Sequence, residues 1–254
     1  MATYKKKGNK PTTKAEKQDK IEAESTTAEV FSTLDEGASK TEAWVEKNQK
    51  AILIFVGVVA ISVLAYLGFQ QFIQEPKETE AMNEMFQAQT FYEQALTASS
   101  KDSLFNLSLE GGNGKFGFLD IIDNYGGTNA ANLAKYYAGI AYLNTGNYQE
   151  AIAQLDSFKS DDDTVGPLAK GAIGDAFAQL NQFEDALKYY ENAASMKANE
   201  VTTPRFLLKA GIIALNLGNT DVALKHFNAI ADNYPKSPEA SKATLYKGKA
   251  EAMQ

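Results

Sequence analysis

The chain has 254 residues, 44% of them hydrophobic, with no cysteine, a single histidine and a formal net charge of −7. Without cysteine there are no disulfides, no thiolate catalysis, no Cys-ligated zinc or iron–sulfur centre and no lipid-bearing Cys; one histidine leaves little for metal binding or acid–base work. From residue 70 onward 15 Lys and Arg stand against 23 Asp and Glu, a net −8, so this part lacks the basic face that nucleic-acid phosphates require.

Residues 1–27 are rich in Lys, Thr, Glu and Ala without apolar periodicity, and are expected to be disordered. The Lys-dense start would attract anionic membrane lipid or ribosomal RNA, or serve only as a solvated tail that enforces topology. Over 28–49 a helical pattern appears, with Val30, Phe31, Leu34, Ala38, Trp44 and Val45 near one side and Asp35, Glu36, Glu42 and Glu46 elsewhere. Such a juxtamembrane helix would lie in the membrane interface with Trp44 at the headgroups, or dock on a partner's cytoplasmic loops.

Ala51 to Phe69 reads AILIFVGVVAISVLAYLGF, without a charge. At about 1.5 Å per residue this makes a helix of ~28 Å, close to the hydrocarbon thickness of a bilayer. A transmembrane helix over 50–72 is therefore expected. A secretory signal would lie within the first 15–30 residues and end in a small-x-small cleavage site, whereas Gly68-Phe69-Gln70-Gln71-Phe72 follows here. A buried globular helix would alternate with polar positions, and this segment does not.

Lys40, Lys47 and Lys50 lie within twenty residues upstream of the span, against Lys77 alone downstream. The positive-inside rule then keeps the N-terminus in the cytoplasm and translocates 73–254, which in a Gram-negative cell is a periplasmic domain held by a single pass in the inner membrane. Gly57, Ala60, Ala65 and Gly68 would form a docking face for another membrane helix, although small residues are common in such helices.

Beyond the span the chain is self-similar. Gly139, Gly174, Gly211 and Gly248 recur at spacings of 35, 37 and 37; an Ala follows twelve residues after each of the first three, at Ala151, Ala186 and Ala223, and Leu155, Tyr190 and Phe227 come four later. Tyr142 and Phe177 precede the turn positions Gly146, Asn181 and Gly218, and Tyr148 and Phe183 follow the first two. The logic is a helix hairpin: small residues let two backbones approach, and aromatic residues fill the gap against the next hairpin. A helical Gly costs roughly 1 kcal/mol relative to Ala, so four in one register imply packing that needs them. Thr203-Pro204 and Ser237-Pro238 each read as a capping hydroxyl before a first-turn proline, and Gly166-Pro167 puts a proline at the start of the middle repeat.

This order of small residue, aromatic, turn, aromatic, alanine and aromatic resembles the tetratricopeptide repeat over about 118–254. The segment from Phe118 also aligns without gaps on that from Phe227, sharing Asp123/Asp232, Asn124/Asn233, Tyr125/Tyr234 and Tyr137/Tyr246. On this reading 118–125 is the second helix of a degenerate leading repeat, 78–98 its first, and 238–252 a closing helix. The fold class is all-α: one transmembrane helix, then a tetratricopeptide-like α-solenoid of helix hairpins over 73–254.

No catalytic, cofactor or metal site emerges. Gly111-Gly112-Asn113-Gly114-Lys115-Phe116 lacks the first Gly of a phosphate-binding loop (Leu109 stands there) and the hydroxyl after Lys, and reads as a flexible loop. Asp161-Asp162-Asp163 has none of the order of an EF-hand and reads as a solvated acidic loop. His226 has no second His or Cys with which to share a metal.

By resemblance, first helices line a concave groove, here Tyr136, Ile140, Leu143 and Asn144, then Asp175 and Gln179, then Arg205, Leu208, Ile212 and Asn216. An apolar and amide lining suits extended polypeptide; the alternative is that helix 78–98 covers several of these residues. The Lys and Asn of the family's carboxylate clamp correspond here to Tyr136, Ile140, Gly171, Asp175, Leu208 and Ile212, so that type of recognition is not expected.

The full layout is similar to the YfgM-like ancillary subunits of the SecYEG translocon. The likeness is carried by Trp44-Val45-Glu46-Lys47-Asn48, by Ala88 to Ala95, and by Asn124-Tyr125-Gly126-Gly127-Thr128 with Ala131, Leu133 and Ala134; the Lys-rich extension 1–27 departs from it. The resemblance implies a non-catalytic subunit of SecYEG, beside a PpiD-like membrane-anchored periplasmic chaperone, receiving translocating polypeptides. The alternative is a scaffold in another envelope assembly, such as a secretion or motility machine; an enzyme would have to depend on His226 or an acidic pair.

Overall fold

The computed structural model describes the backbone of residues 26–112 and 114–254, and side chains from Gly37 onward together with Leu34. The expected disorder of the Lys-rich tail, and the placement of Val30 and Phe31, lie outside the described residues. Two compact units are present, divided after Phe69.

The described part of the first unit is one helix, α1, Thr26–Phe69. The expected division between a juxtamembrane helix ending at 49 and a span beginning at 50 is not marked by any break. Between Gly37 and Gly57 the sequence offers neither Pro nor Gly, the residues that interrupt a helix. A helix lying in the interface before entering the bilayer would need such a bend. Among the described residues this is the one helix long and apolar enough to cross a membrane, and none of its apolar window is buried. Phe55, Ile61 and Leu64 are each more than two-thirds exposed.

The second unit opens with a π-helical turn, Gln70–Gln74, and continues through ten α-helices. These are α2 (Glu75–Thr97), α3 (Asp102–Glu110), α4 (Phe118–Asn124), α5 (Asn129–Asn144), α6 (Tyr148–Ser157), α7 (Val165–Gln179), α8 (Phe183–Met196), α9 (Thr202–Asn216), α10 (Thr220–Asn233) and α11 (Ala240–Glu251). Each packs on its neighbour in chain order, and α5, α7, α9 and α11 also touch in succession, forming one continuous row of first helices. No strand is present among the described residues.

The register glycines explain the pairing. A Cβ on Gly139 would come within 2.9 Å of Leu155 Cδ2, on Gly174 within 2.7 Å of Tyr190 Cδ1, and on Gly211 within 2.7 Å of Phe227 Cζ. Each large residue of a second helix thus seats on the glycine of its own first helix. Gly248 differs, with nothing within 4 Å of a Cβ, because no second helix of its own packs on α11. Gly171, outside the periodic pattern, is a fourth close approach, where Phe206 of the next repeat lies against the backbone. The turns Gly146, Asn181 and Gly218 all have positive φ, at 80°, 58° and 75°, so Gly or Asn is required there.

The internal match at an offset of 109 is reproduced in packing. Phe118 stacks on Tyr137 with centroids 5.2 Å apart, and Phe227 stacks on Tyr246 at 6.0 Å. Ile121 and Ile230 are fully buried in the two copies.

The leading region departs from the expected single hairpin. Helix α2 pairs with α3, which the sequence reading left unassigned, while α4 lies chiefly against α5. Phe105 and Leu109 of α3 are buried, with Tyr92, Phe118 and Tyr137 completing an aromatic cluster of centroid separations 5.0–6.1 Å. The described ends of the glycine-rich segment after α3, expected to be a flexible loop, are held together by backbone contacts. Gly112 and Lys115 exchange backbone hydrogen bonds of 3.2 and 3.0 Å, and Gly111 and Gly117 leave no room for a Cβ.

Two expected helix caps are also replaced. Asn199, not Thr203, caps α9: its Oδ1 accepts from the N–H groups of Val201 and Thr202, while the Thr203 hydroxyl donates to Ala194 O. Ser237 does not cap α11, which begins at Ala240, and its hydroxyl has no partner among the described residues. Asp162 is more than a solvated acid, since its carboxylate accepts from Thr164 and Val165 N–H at the start of α7, holding its pKa below the ordinary value.

Helix α5 starts on a long-range clamp. The Glu78 carboxylate accepts from Asn129 N–H at 2.6 Å and Ala130 N–H at 2.7 Å, and the Thr128 hydroxyl accepts from Ala131 N–H at 3.0 Å. All three first-turn donors are thereby satisfied. Gln74 and Lys77 donate to Gly127 O and Gly126 O, and the Tyr125 hydroxyl donates to Glu80. The Asn124–Thr128 stretch that carries the family resemblance is thus the receiver of helix α2. Glu78→Ala should lower stability by about 1–2 kcal/mol in thermal unfolding, more than Glu84→Ala on the same helix; equal effects would refute the clamp.

Candidate polypeptide-binding groove

Along the row of first helices, side chains of α5, α7 and α9 line two adjoining clefts, the second completed by Tyr148 of α6 and Tyr190 of α8. The first, about 280 Å³, is lined by Tyr136, Ile140 and Leu143 of α5, Leu168, Ala172 and Asp175 of α7, and Arg205, Phe206 and Lys209 of α9. The second, about 350 Å³, shares Leu143, Asp175 and Lys209 and adds Tyr148, Ala178, Gln179 and Tyr190. Six of the ten residues expected in the groove are therefore brought together: Tyr136, Ile140, Leu143, Asp175, Gln179 and Arg205.

The other four are not. Leu208 is 7% exposed and packs with Phe227, Ile230, Ala243 and Ala250, and Ile212 lies against the same cluster. The closing helix α11 covers that side of α9, so these residues face the next hairpin. Asn144 is exposed and donates to Ile140 O within its own helix, and Asn216, also exposed, lines neither cleft. The cleft follows the row Arg205 to Lys209, one helical turn apart, instead of the row through Leu208 and Ile212. Helix α2 covers only part of the site: Tyr137, Tyr142 and one side of Ile140 enter the leading cluster, whereas Tyr136 and Leu143 pack toward α7.

Between the clefts stands a polar group that sequence reading missed. Lys209 pairs with Asp175, the Tyr190 hydroxyl donates to the same carboxylate oxygen at 2.6 Å, and the Lys209 ammonium lies 5.4 Å from the Tyr190 ring centre. Burial, reinforced by Asp175, pushes the Tyr190 phenol above its ordinary range; burial does the same for Tyr136. Both remain neutral hydroxyls at physiological pH. The arrangement offers an apolar floor with a few oriented polar groups, which suits binding and supplies no nucleophile paired to a base.

On α1, no neighbouring atom comes within 4 Å of a Cβ built on Gly57 or Gly68, and Ala60 and Ala65 are exposed, so the small-residue face is open. Among the described residues no group of three or more His, Cys, Asp or Glu is placed to hold a metal.

His226 is 7% exposed, and its Nε2 lies 2.9 Å from Glu191 Oε1. Burial lowers its pKa below the ordinary 6.5, outweighing the opposing pull of Glu191. The unfolded chain therefore takes up the proton first, and stability falls as pH drops from 6.5 toward the lowered folded value. His226→Gln should flatten the pH dependence of Tm in that window; an unchanged slope would refute the assignment.

Tetratricopeptide-repeat family models match residues 133–163, 172–238 and 208–254. These segments are tetratricopeptide repeats, and they contain every residue of the two clefts except Leu168. No curated protein matches the chain. Among solved structures, PcrH in complex with the chaperone binding region of PopB is similar at 23% identity and a TM-score of 0.40, covering 51% of this chain and 98% of that one.

Proposed function

We propose that this tetratricopeptide-repeat protein is a non-catalytic, membrane-anchored scaffold that binds polypeptide along the row of first helices. The observation that carries the reading is that one chain holds both an uncharged, uncovered helical stretch and a repeat array whose first cleft has an apolar floor. The Lys distribution supports a cytoplasmic N-terminus (1–27 and 28–49), a span over 50–72 and a periplasmic domain over 73–254. In that setting the protein is an ancillary subunit of the SecYEG translocon. It works beside a PpiD-like anchored chaperone, with translocating polypeptides as clients and Gly57, Ala60, Ala65 and Gly68 as the docking face within the bilayer.

Photocrosslinkers placed at Gly57 and at Tyr136 in native membranes test both halves. The first should capture SecY or the anchored chaperone, and the second an emerging polypeptide. Capture of neither would refute the translocon assignment. Capture of components of a secretion or motility machine would replace it by the alternative scaffold.

A further inference from the structure

One residue of the first cleft stands apart from its apolar lining. Of 25 cationic side chains, 24 are Lys and one is Arg, and that single arginine, Arg205, stands at the mouth of the first cleft. It makes no hydrogen bond or ion pair among the described residues, and it is close enough to Tyr136 to act on the phenol's charge. The neighbouring cation Lys209 is held by Asp175. The cleft mouth thus carries one uncompensated positive charge on a domain whose net charge is −8, from 15 Lys and Arg and 23 Asp and Glu.

The Tyr136 hydroxyl is likewise without a hydrogen-bond partner among the described residues, and burial keeps it protonated. A guanidinium and a phenol lining one cleft, both donors and both unused, match a carboxylate acceptor, because the planar fork of Arg suits two oxygens. Beneath them the cleft floor is apolar, formed by Ile140, Leu143, Leu168, Ala172 and Phe206. The cleft does not end at this point; it runs past the Asp175–Lys209 pair toward Gln179 and Tyr148. A chain lying in it can continue past that ion pair, so the carboxylate it presents need not be a chain end.

Resting on the proposed polypeptide-binding role, we infer that the first cleft selects extended segments in which a large apolar side chain is followed, one or two residues on, by an internal Asp or Glu. The apolar side chain fills the floor, and the carboxylate bridges Arg205 and Tyr136.

The test uses the full chain in detergent micelles and fluorescence anisotropy with labelled peptides. One peptide carries an internal Phe-Gly-Glu and a second Phe-Gly-Gln, both amidated; a third ends in Phe with a free carboxylate. The Glu peptide should bind about tenfold more tightly than the Gln peptide, the scale of one charge-assisted hydrogen bond. Arg205→Gln, an exposed change that should leave helicity and Tm at wild-type values, should bring that ratio to about one. Arg205→Lys should recover only part of it. Equal binding of the Glu and Gln peptides by wild type would overturn the inference and leave the groove reading standing. Preference for the free terminus over the Glu peptide would overturn it too, and no binding of any peptide would overturn both.

Discussion

Replacing both Val59 and Val63 by Arg should strip the protein from membranes. The two positions lie one helical turn apart near the middle of the uncharged stretch 51–69, and both side chains are exposed. An Arg at the centre of a spanning helix costs about 2.5–3.5 kcal/mol on insertion scales, so the pair costs roughly 5–7 kcal/mol. That is enough to convert an inserted helix into one that is almost never inserted. Nothing within the unit shields the apolar side chains, so burial in protein gives no escape. The carbonate-resistant membrane fraction should fall close to zero in the double-Arg variant and stay at the wild-type level with Leu at both sites. Wild-type sedimentation of the double-Arg protein would refute the span.

The repeat order was legible because each helix hairpin restates the same steric requirement. Gly139, Gly174 and Gly211 must be small for Leu155, Tyr190 and Phe227 to seat, and that coupling writes a fixed spacing into the sequence. The leading region obeys no such rule. Helix α3 has no register glycine; its Phe105 packs on Tyr92, which in turn packs on Phe118 and Tyr137 of later helices, so local pattern left it hidden. Caps failed for a related reason. A Thr or Ser before Pro has the right chemistry, but Asn199 reaches the N–H groups of Val201 and Thr202 at the start of α9 and takes the role, as Glu78 does for α5 from about fifty residues away.

The groove was legible by element and only in part by residue. Which helices form the row follows from repeat order; which side of each helix faces it depends on what covers the other side. On α9 that cover is α11, which takes Leu208 and Ile212 and leaves the Arg205–Lys209 edge open. Lys209 was invisible in the sequence because its place is set by Asp175, 34 positions earlier. Tyr190 has two roles, filling the space over Gly174 and fixing Asp175 through its hydroxyl, and only the first follows from the repeat pattern.

Phe227 is the side chain whose loss should be felt most in the array. It is fully buried, seats on Gly211 and stacks on Tyr246, so Phe227→Ala should cost about 3–5 kcal/mol. Gly211→Ala probes the same contact from the other side: the added methyl meets the Phe227 ring and forces a shift, at about 1–3 kcal/mol. Gly248→Ala adds the same methyl at the same register where nothing opposes it, so helix propensity alone acts and stability should rise by up to about 1 kcal/mol. Because each repeat touches only its neighbours, the damage in the first two variants should be local. Amide exchange in the full chain should speed up in α9, α10 and α11 while α5 and α6 keep wild-type protection. If Gly248→Ala cost as much as Gly211→Ala, the seating of a large residue on each register glycine would not be what holds the repeats together.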